Sequence, residues 1–157
     1  MRPIVILTRD VFPETAQLLS SLCDLATFTT RDACMRPDFA LYAQHACAIV
    51  LIAPQTIDDG LLRRCALLKI VACAFRVPIA IDIAACTRRG IWVTDVLTHD
   101  VGCNAELEAA RNVLDVLSGD NPRSALNHVR PVQGMASTYK RPKRSAAPAL
   151  DRARLEH

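Results

Sequence analysis

Arg76 is the residue of this chain best placed to do chemistry. It follows an apolar run, Ile70 to Ala74, and precedes Pro78; a second run, Ile81 to Arg89, is then stopped by Gly90 before a third, Ile91 to Thr94. Pro cannot continue a strand and Gly is the usual residue just past a helix end, so the order reads strand, turn, helix, strand. Such a unit is parallel and right-handed. Ligands of these sheets sit beyond the carboxyl ends of the strands, where Arg76 falls. One cation at that place points to a small anion; the rival reading is a solvated charge at a strand end.

Other reactive side chains offer less. The seven cysteines are Cys23, Cys34, Cys47, Cys65, Cys73, Cys86 and Cys103, an odd number without a Cys-x-x-Cys pair. Most fall inside apolar runs, where a free thiol behaves as a small hydrophobe, so packing is favoured over metal or redox roles. His45, His99, His128 and His157 have no ligand spacing. His99 beside Asp100 has the composition of a base with its orienting carboxylate, but adjacent residues rarely point together, and loop decoration is the better reading.

Alternating strands and helices must position Arg76. Pro3 to Leu7 is an apolar run suited to a strand buried on both faces. Pro13 opens a first helix and Asp24 to Phe28 is a weaker strand. Pro37 opens a second helix to about His45, with Phe39, Leu41 and Tyr42 as its apolar positions. Ala46 to Ala53 is a third strand, and Thr56 to Cys65 a helix. After the Arg76 unit, Leu97 to Val101 is a loop. Asn104 is the expected N-cap of the longest helix, about 103–118, whose first turn holds Glu106 and Glu108 and which ends at Gly119. This predicts an α/β, flavodoxin-like, doubly wound parallel five-stranded sheet in a single domain, residues 1–133, with a long C-terminal helix.

Residues 134–157 are Pro-, Ser-, Ala- and Lys/Arg-rich and are expected to form a flexible basic tail. Residues 1–128 hold 12 Lys and Arg against 14 Asp and Glu, and residues 129–157 hold 7 against 2. The excess positive charge is therefore in the tail. Lys140 to Arg144 lacks aromatic interleaving, so nucleic acid is not the expected partner. Every apolar run is too short to span a membrane, and Met1 to Asp10 has no signal-peptide core. The expected location is the cytoplasm.

The run Asp82-Ile83-Ala84-Ala85-Cys86-Thr87-Arg88-Arg89-Gly90-Ile91-Trp92-Val93-Thr94, with Val71 to Ala74, Ala53-Pro54, Leu61-Leu62 and Asn104 to Leu107, resembles the substrate domain of the NAD-dependent D-2-hydroxyacid dehydrogenases. Within them it is most similar to the phosphonate (phosphite) dehydrogenase branch. The resemblance implies that Arg76 stands where the phosphite-oxidising relatives have a substrate-binding Lys, with Phe75, Val77 and Ala53 as the other expected substrate-binding residues. The implied ligand is phosphite, phosphate or a 2-oxoacid. Val77-Pro78-Ile79-Ala80 replaces the Gly and Asp-Asn pair of those relatives. No counterparts of the family's catalytic His, its carboxylate partner or its clamping Arg are found.

In the family a helix like Asn104 to Leu107 leads into a nucleotide-binding domain, and a final helix like Ala109 to Gly119 returns from it. Here the two resemble one fused helix, which implies that the nucleotide domain is missing. None of the five glycines forms a Gly-x-Gly-x-x-Gly. The family cofactor is NAD, and none is expected for this chain. The expected function is a substrate domain unable to transfer hydride alone and at most a weak binder of small anions. The alternatives are an interaction or regulatory module that self-associates as a homodimer or pairs with a full-length relative, and an inactive remnant.

Overall fold

In the computed structural model, residues 2–29, 33–76, 80–97 and 102–130 are described. The strands are β1 (Ile4–Leu7), β2 (Asp24–Thr27), β3 (Ala46–Leu51), β4 (Ile70–Cys73) and β5 (Trp92–Thr94). They form one sheet in the order β2-β1-β3-β4-β5, every pairing parallel. The helices are α1 (Pro13–Ser20), α2 (Pro37–Ala43), α3 (Asp59–Leu62), α4 (Ile83–Arg88) and α5 (Cys103–Leu117), with a 3-10 turn at Ala33–Met35. This is the α/β, all-parallel, flavodoxin-like arrangement that the alternation predicts.

Side chains alternate across the sheet because the strand period is two. Val5, Leu7, Ala48, Val50, Ile70 and Ala72 face α1 and α5. Ile6, Ile49, Leu51, Val71, Cys73 and Val93 face the other way, into the cluster that holds Phe39, Leu62 and Ala85. Both faces are covered, which is why the strands read as continuous apolar runs. Ala105, Ala109 and Ala110 turn their small side chains inward, so α5 lies close over β3 and β4 with α1 beside it.

Three helix starts differ from expectation. The helix expected over Thr56 to Cys65 is only α3, because Ile57 is held extended in a parallel bridge to Ile81. Asp58 then caps α3 by accepting the Leu61 N–H at 2.9 Å. The same bridge delays α4 to Ile83, where Asp82 accepts the Ala85 N–H at 2.9 Å. In α5 the cap position is Gly102 (φ 96°), and Asn104 lies exposed within the first turn. Gly90, with φ 72°, ends α4 as expected. Leu41 and Tyr42 are not core positions of α2: they are 64% and 51% exposed, and Phe39 and Ala43 carry that helix's buried face.

The edge beside β5 is closed by the chain that follows α5. Leu126 N–H donates to the Val93 carbonyl at 2.8 Å. The Asn127 amide completes the pairing, accepting from Val93 N–H at 2.9 Å and donating to the Ile91 carbonyl at 2.9 Å. The expected tail, residues 134–157, lies outside the described residues.

Candidate functional site

The carboxyl ends of β1, β3, β4 and β5 converge on one edge of the sheet. Thr8 fastens the first two: its buried hydroxyl donates to the Val50 carbonyl at 3.3 Å and accepts the Ile52 N–H at 3.2 Å. Ala74 extends β4 by one bond, its N–H donating to the Leu51 carbonyl at 2.8 Å. Phe75 is half-buried against the apolar cluster on the α2–α4 side, which anchors the chain where it leaves the sheet. Arg76 then stands exposed, and Ala53 is half-buried beyond the end of the neighbouring β3. Arg76, Phe75 and Ala53 thus share this edge. Val77, like Pro78, Ile79, His99 and Asp100, lies outside the described residues.

Sequence reasoning missed a carboxylate at this edge. Ala72 pairs with Thr94, so Asp95 leaves β5 at the level where β4 ends. Its backbone is fixed by Ser124, whose hydroxyl donates to the Asp95 carbonyl at 2.5 Å and whose carbonyl accepts the Asp95 N–H at 3.2 Å. Burial pushes the Asp95 carboxyl above the ordinary range; the Arg76 guanidinium and a backbone N–H pull it down, and Glu108 pushes it up. Arg76 thus has the Asp95 carboxyl as an electrostatic neighbour at this edge. The signal was available: parallel strands deliver the residues just after them to a common edge, and Asp95 follows β5 as Arg76 follows β4.

Two more carboxylates stand at the start of α5. Glu106 is buried and accepts the Phe12 N–H at 2.8 Å, and Glu108 accepts the Leu97 N–H at 2.7 Å. They tie the loops after β1 and β5 to α5. Burial raises the Glu106 carboxyl, with the Phe12 N–H opposing it. Beside them Phe12 is 46% and Leu97 is 68% exposed, an apolar surface at this edge.

Neither described histidine is there. His45 leads into β3, and His128 stands edge-on to Trp92 at the start of β5, ring centroids 6.3 Å apart. The buried thiols are weak acids: desolvation pushes Cys73 and Cys34 to about 12 and Cys23 to about 11. At neutral pH they are neutral, and Cys73 is no activated nucleophile. Among the described residues no three or more His, Cys, Asp or Glu side chains are grouped to hold a metal ion, and no described helix is long and apolar enough to cross a membrane. Among the described residues the edge brings together the Arg76 guanidinium, the Asp95 carboxyl, the Glu106 and Glu108 carboxyls and backbone groups.

Residues 5–127 match the family described as D-isomer specific 2-hydroxyacid dehydrogenase, catalytic domain. A glyoxylate reductase of Aeropyrum pernix is 32% identical over 120 residues, which are 73% of this chain and 36% of that protein. Among solved structures, the PH0520 protein of Pyrococcus horikoshii OT3 superposes with a TM-score of 0.53 at 22% identity, over 61% of this chain and 28% of that one. The TT0316 protein of Thermus thermophilus gives 0.52 at 20% identity, over 60% and 30%. These structural likenesses show the fold. The chain spans about a third of the length of the relatives it matches.

Proposed function

The chain belongs to the D-isomer specific 2-hydroxyacid dehydrogenase family, and from that premise we propose that it is a substrate-side domain which does not transfer hydride by itself. Hydride transfer needs a nicotinamide held against the substrate, and positioning the two is the work of paired lobes. The observation that carries the reading is the turn chemistry. A dinucleotide's pyrophosphate needs glycines at a strand-to-helix turn and a helix start free of acid. The described residues after β1, β3 and β4 hold no glycine before their helices. Gly60, in the first turn of α3, has the Asp58 carboxylate 3.4 Å from where a Cβ would stand, and Gly102, which opens α5, has the Phe12 ring 3.7 Å from that point and Glu106 in the turn above it. The ring and the Glu106 carboxylate crowd the start of α5, which favours the reading that it does not serve a dinucleotide.

The ligand of the Arg76 edge is, on this reading, a small oxyanion such as phosphite, phosphate or a 2-oxoacid. The phosphonate dehydrogenase-like position of Arg76 favours the first. A planar guanidinium with Asp95 as its neighbour gives weaker and less selective capture than a free ammonium would. Calorimetric titration with phosphite, phosphate and glyoxylate tests this. Saturable millimolar binding that Arg76→Ala abolishes supports it, and binding indifferent to Arg76→Ala refutes it.

A second reading rests on exposed Phe12 and Leu97. Apolar side chains flanking the start of α5, at the edge where a partner lobe would close, suit a docking surface. The chain then pairs with a second copy or with a longer relative. Light scattering over a concentration series that finds only monomer counts against the homodimer.

A further inference from the structure

The two edges of the sheet are finished differently. Beside β5 the chain that follows α5 supplies a cover, with Leu126 and Asn127 bonded to Val93 and Ile91. β2 is the other edge, and among the described residues no strand pairs with its outer side. Asp24 N–H donates to the Pro3 carbonyl at 2.9 Å and Phe28 N–H to the Leu7 carbonyl at 2.8 Å. Alternate residues of a strand bond the same neighbour, so Ala26 turns to β1 with them, and Leu25 and Thr27 turn their N–H and C=O groups outward. Such a row is a template for another strand. Edges are commonly protected by Pro, Lys or a bulge. Asp24-Leu25-Ala26-Thr27 contains neither residue, and its register with β1 runs unbroken from Ile4 to Leu7. Its one charge, Asp24, is already paired with Arg2 at 3.5 Å.

The residues around this edge fit a second copy of the chain in one register. A two-fold axis makes the mating strands antiparallel and each contact reciprocal. With the axis at Ala26, Leu25 exchanges N–H···O bonds with the partner's Thr27, and Thr27 with the partner's Leu25. Ala26 then meets the partner's Ala26 at a closely spaced position, which suits a small side chain. Asp24, Ala26 and Phe28 share one face of the strand, so on that face Asp24 stands opposite the partner's Phe28. The two ends differ in a complementary way. Phe28 is edge-on to Tyr42, centroids 5.6 Å apart, and Tyr42 is exposed. Arg2, held by the Ser20 and Cys23 carbonyls, carries its guanidinium beside Asp24. A guanidinium held in place on one copy and an exposed phenol ring on the other attract, and the two-fold axis repeats the match.

We propose that β2 is a self-association edge, through which two copies pair antiparallel about Ala26 and join their five-stranded sheets into one, with Arg2 of each copy against the partner's Tyr42. The surface includes neither Arg76 nor Phe12 and Leu97, so it stands apart from both readings of the carboxyl edge.

Sedimentation velocity over a concentration series is measured on the full chain and on Thr27→Pro, Tyr42→Ala and Leu97→Ser. Proline is tolerated on an edge strand where its nitrogen faces away from the sheet, so Thr27→Pro removes an outward donor from each copy and spares the pairing with β1. Circular dichroism verifies the fold of each variant. The unaltered chain dimerises, Thr27→Pro weakens the dimer by about tenfold or more, as losing a hydrogen bond from each copy requires, Tyr42→Ala weakens it less, and Leu97→Ser leaves it unchanged. Hydrogen exchange needs no variant and decides the matter if Thr27→Pro does not fold: the Leu25 and Thr27 amides exchange more slowly as the concentration of the unaltered chain rises. A chain that stays monomeric at millimolar concentration overturns the proposal, and so does exchange at both amides that is independent of concentration. A dimer indifferent to Thr27→Pro also overturns it, as does one dissolved by Leu97→Ser. The last result assigns association to the carboxyl edge, so failure here is separable from failure of that reading.

Discussion

The two faces of the sheet are buried by different means. Toward α2, α3 and α4 the interior is apolar side chains and thiols, with Phe28 and Phe39 edge-on at 5.2 Å and Cys34, Cys65, Cys73 and Cys86 in one cluster. Toward α5 buried polar groups join the packing. Asn112 donates to the Ser124 hydroxyl and accepts the Arg123 N–H, both at 2.9 Å, and Glu106 receives the Phe12 N–H. Apolar packing is nondirectional and tolerates shifts, whereas a buried amide with fixed partners specifies one register. The difference teaches that α5 is aligned by its hydrogen bonds as well as by its alanines. Through Ser124 and Glu108 the same bonds hold the loop of Asp95 and Leu97 at the candidate site.

The contrast can be broken from either side. The largest effect is expected from Phe39→Ala, which opens a fully buried aromatic site and costs roughly 3–5 kcal/mol in urea unfolding. Anion binding by whatever protein remains folded is predicted to be unaltered. Asn112→Ala strands the Arg123 N–H and removes a partner of Ser124. The expected loss is about 1–3 kcal/mol, and faster hydrogen exchange at Leu126 and Val93 should accompany it. If Asn112→Ala changed neither, the polar ties would be decoration.

Two groups, one on each face, should also respond at different pH. The Cys73 thiol is raised from 9.0 to about 12 by burial, so the folded state keeps a proton that the unfolded chain loses above 9. Stability is then unaffected below that point and falls as pH rises through it, by up to about 1.4 kcal/mol per pH unit for such a thiol. Cys73→Ala should lessen that slope in denaturation series from pH 8 to 11. On the α5 face the raised Glu106 carboxyl places its window lower. The folded state binds the proton more tightly, so stability declines as pH rises from the ordinary Glu range to the raised one, and the cost persists above it. Glu106→Gln keeps an acceptor for Phe12 and should raise the neutral-pH melting temperature slightly; a fall would mean that the charged hydrogen bond outweighs burial.

The sheet was legible because apolar runs such as Ile4-Val5-Ile6-Leu7 and Ala46 to Leu51 are what strands covered on both faces require. The prolines at 13 and 37 marked two helix starts correctly, since their fixed φ suits a first turn. What escaped the sequence was nonlocal. The Ile57–Ile81 bridge shortens α3 and delays α4, and it depends on a contact 24 residues apart. The amphipathic reading of Leu41 and Tyr42 counted residue type without knowing that β2 lies at the sheet edge, leaving half of α2 uncovered. Arg76 could be placed from its strand, but its neighbour Asp95 needs the parallel register of β4 and β5. Asn127, which closes the β5 edge, carries no local signal at all.

The central proposal is that these residues form a substrate-side lobe that holds no dinucleotide by itself. Titrating the purified chain with NADH and following nicotinamide fluorescence and polarisation tests it most directly. The account predicts no saturation up to millimolar protein. A saturable rise with a micromolar midpoint would contradict it and place a nucleotide site within these residues.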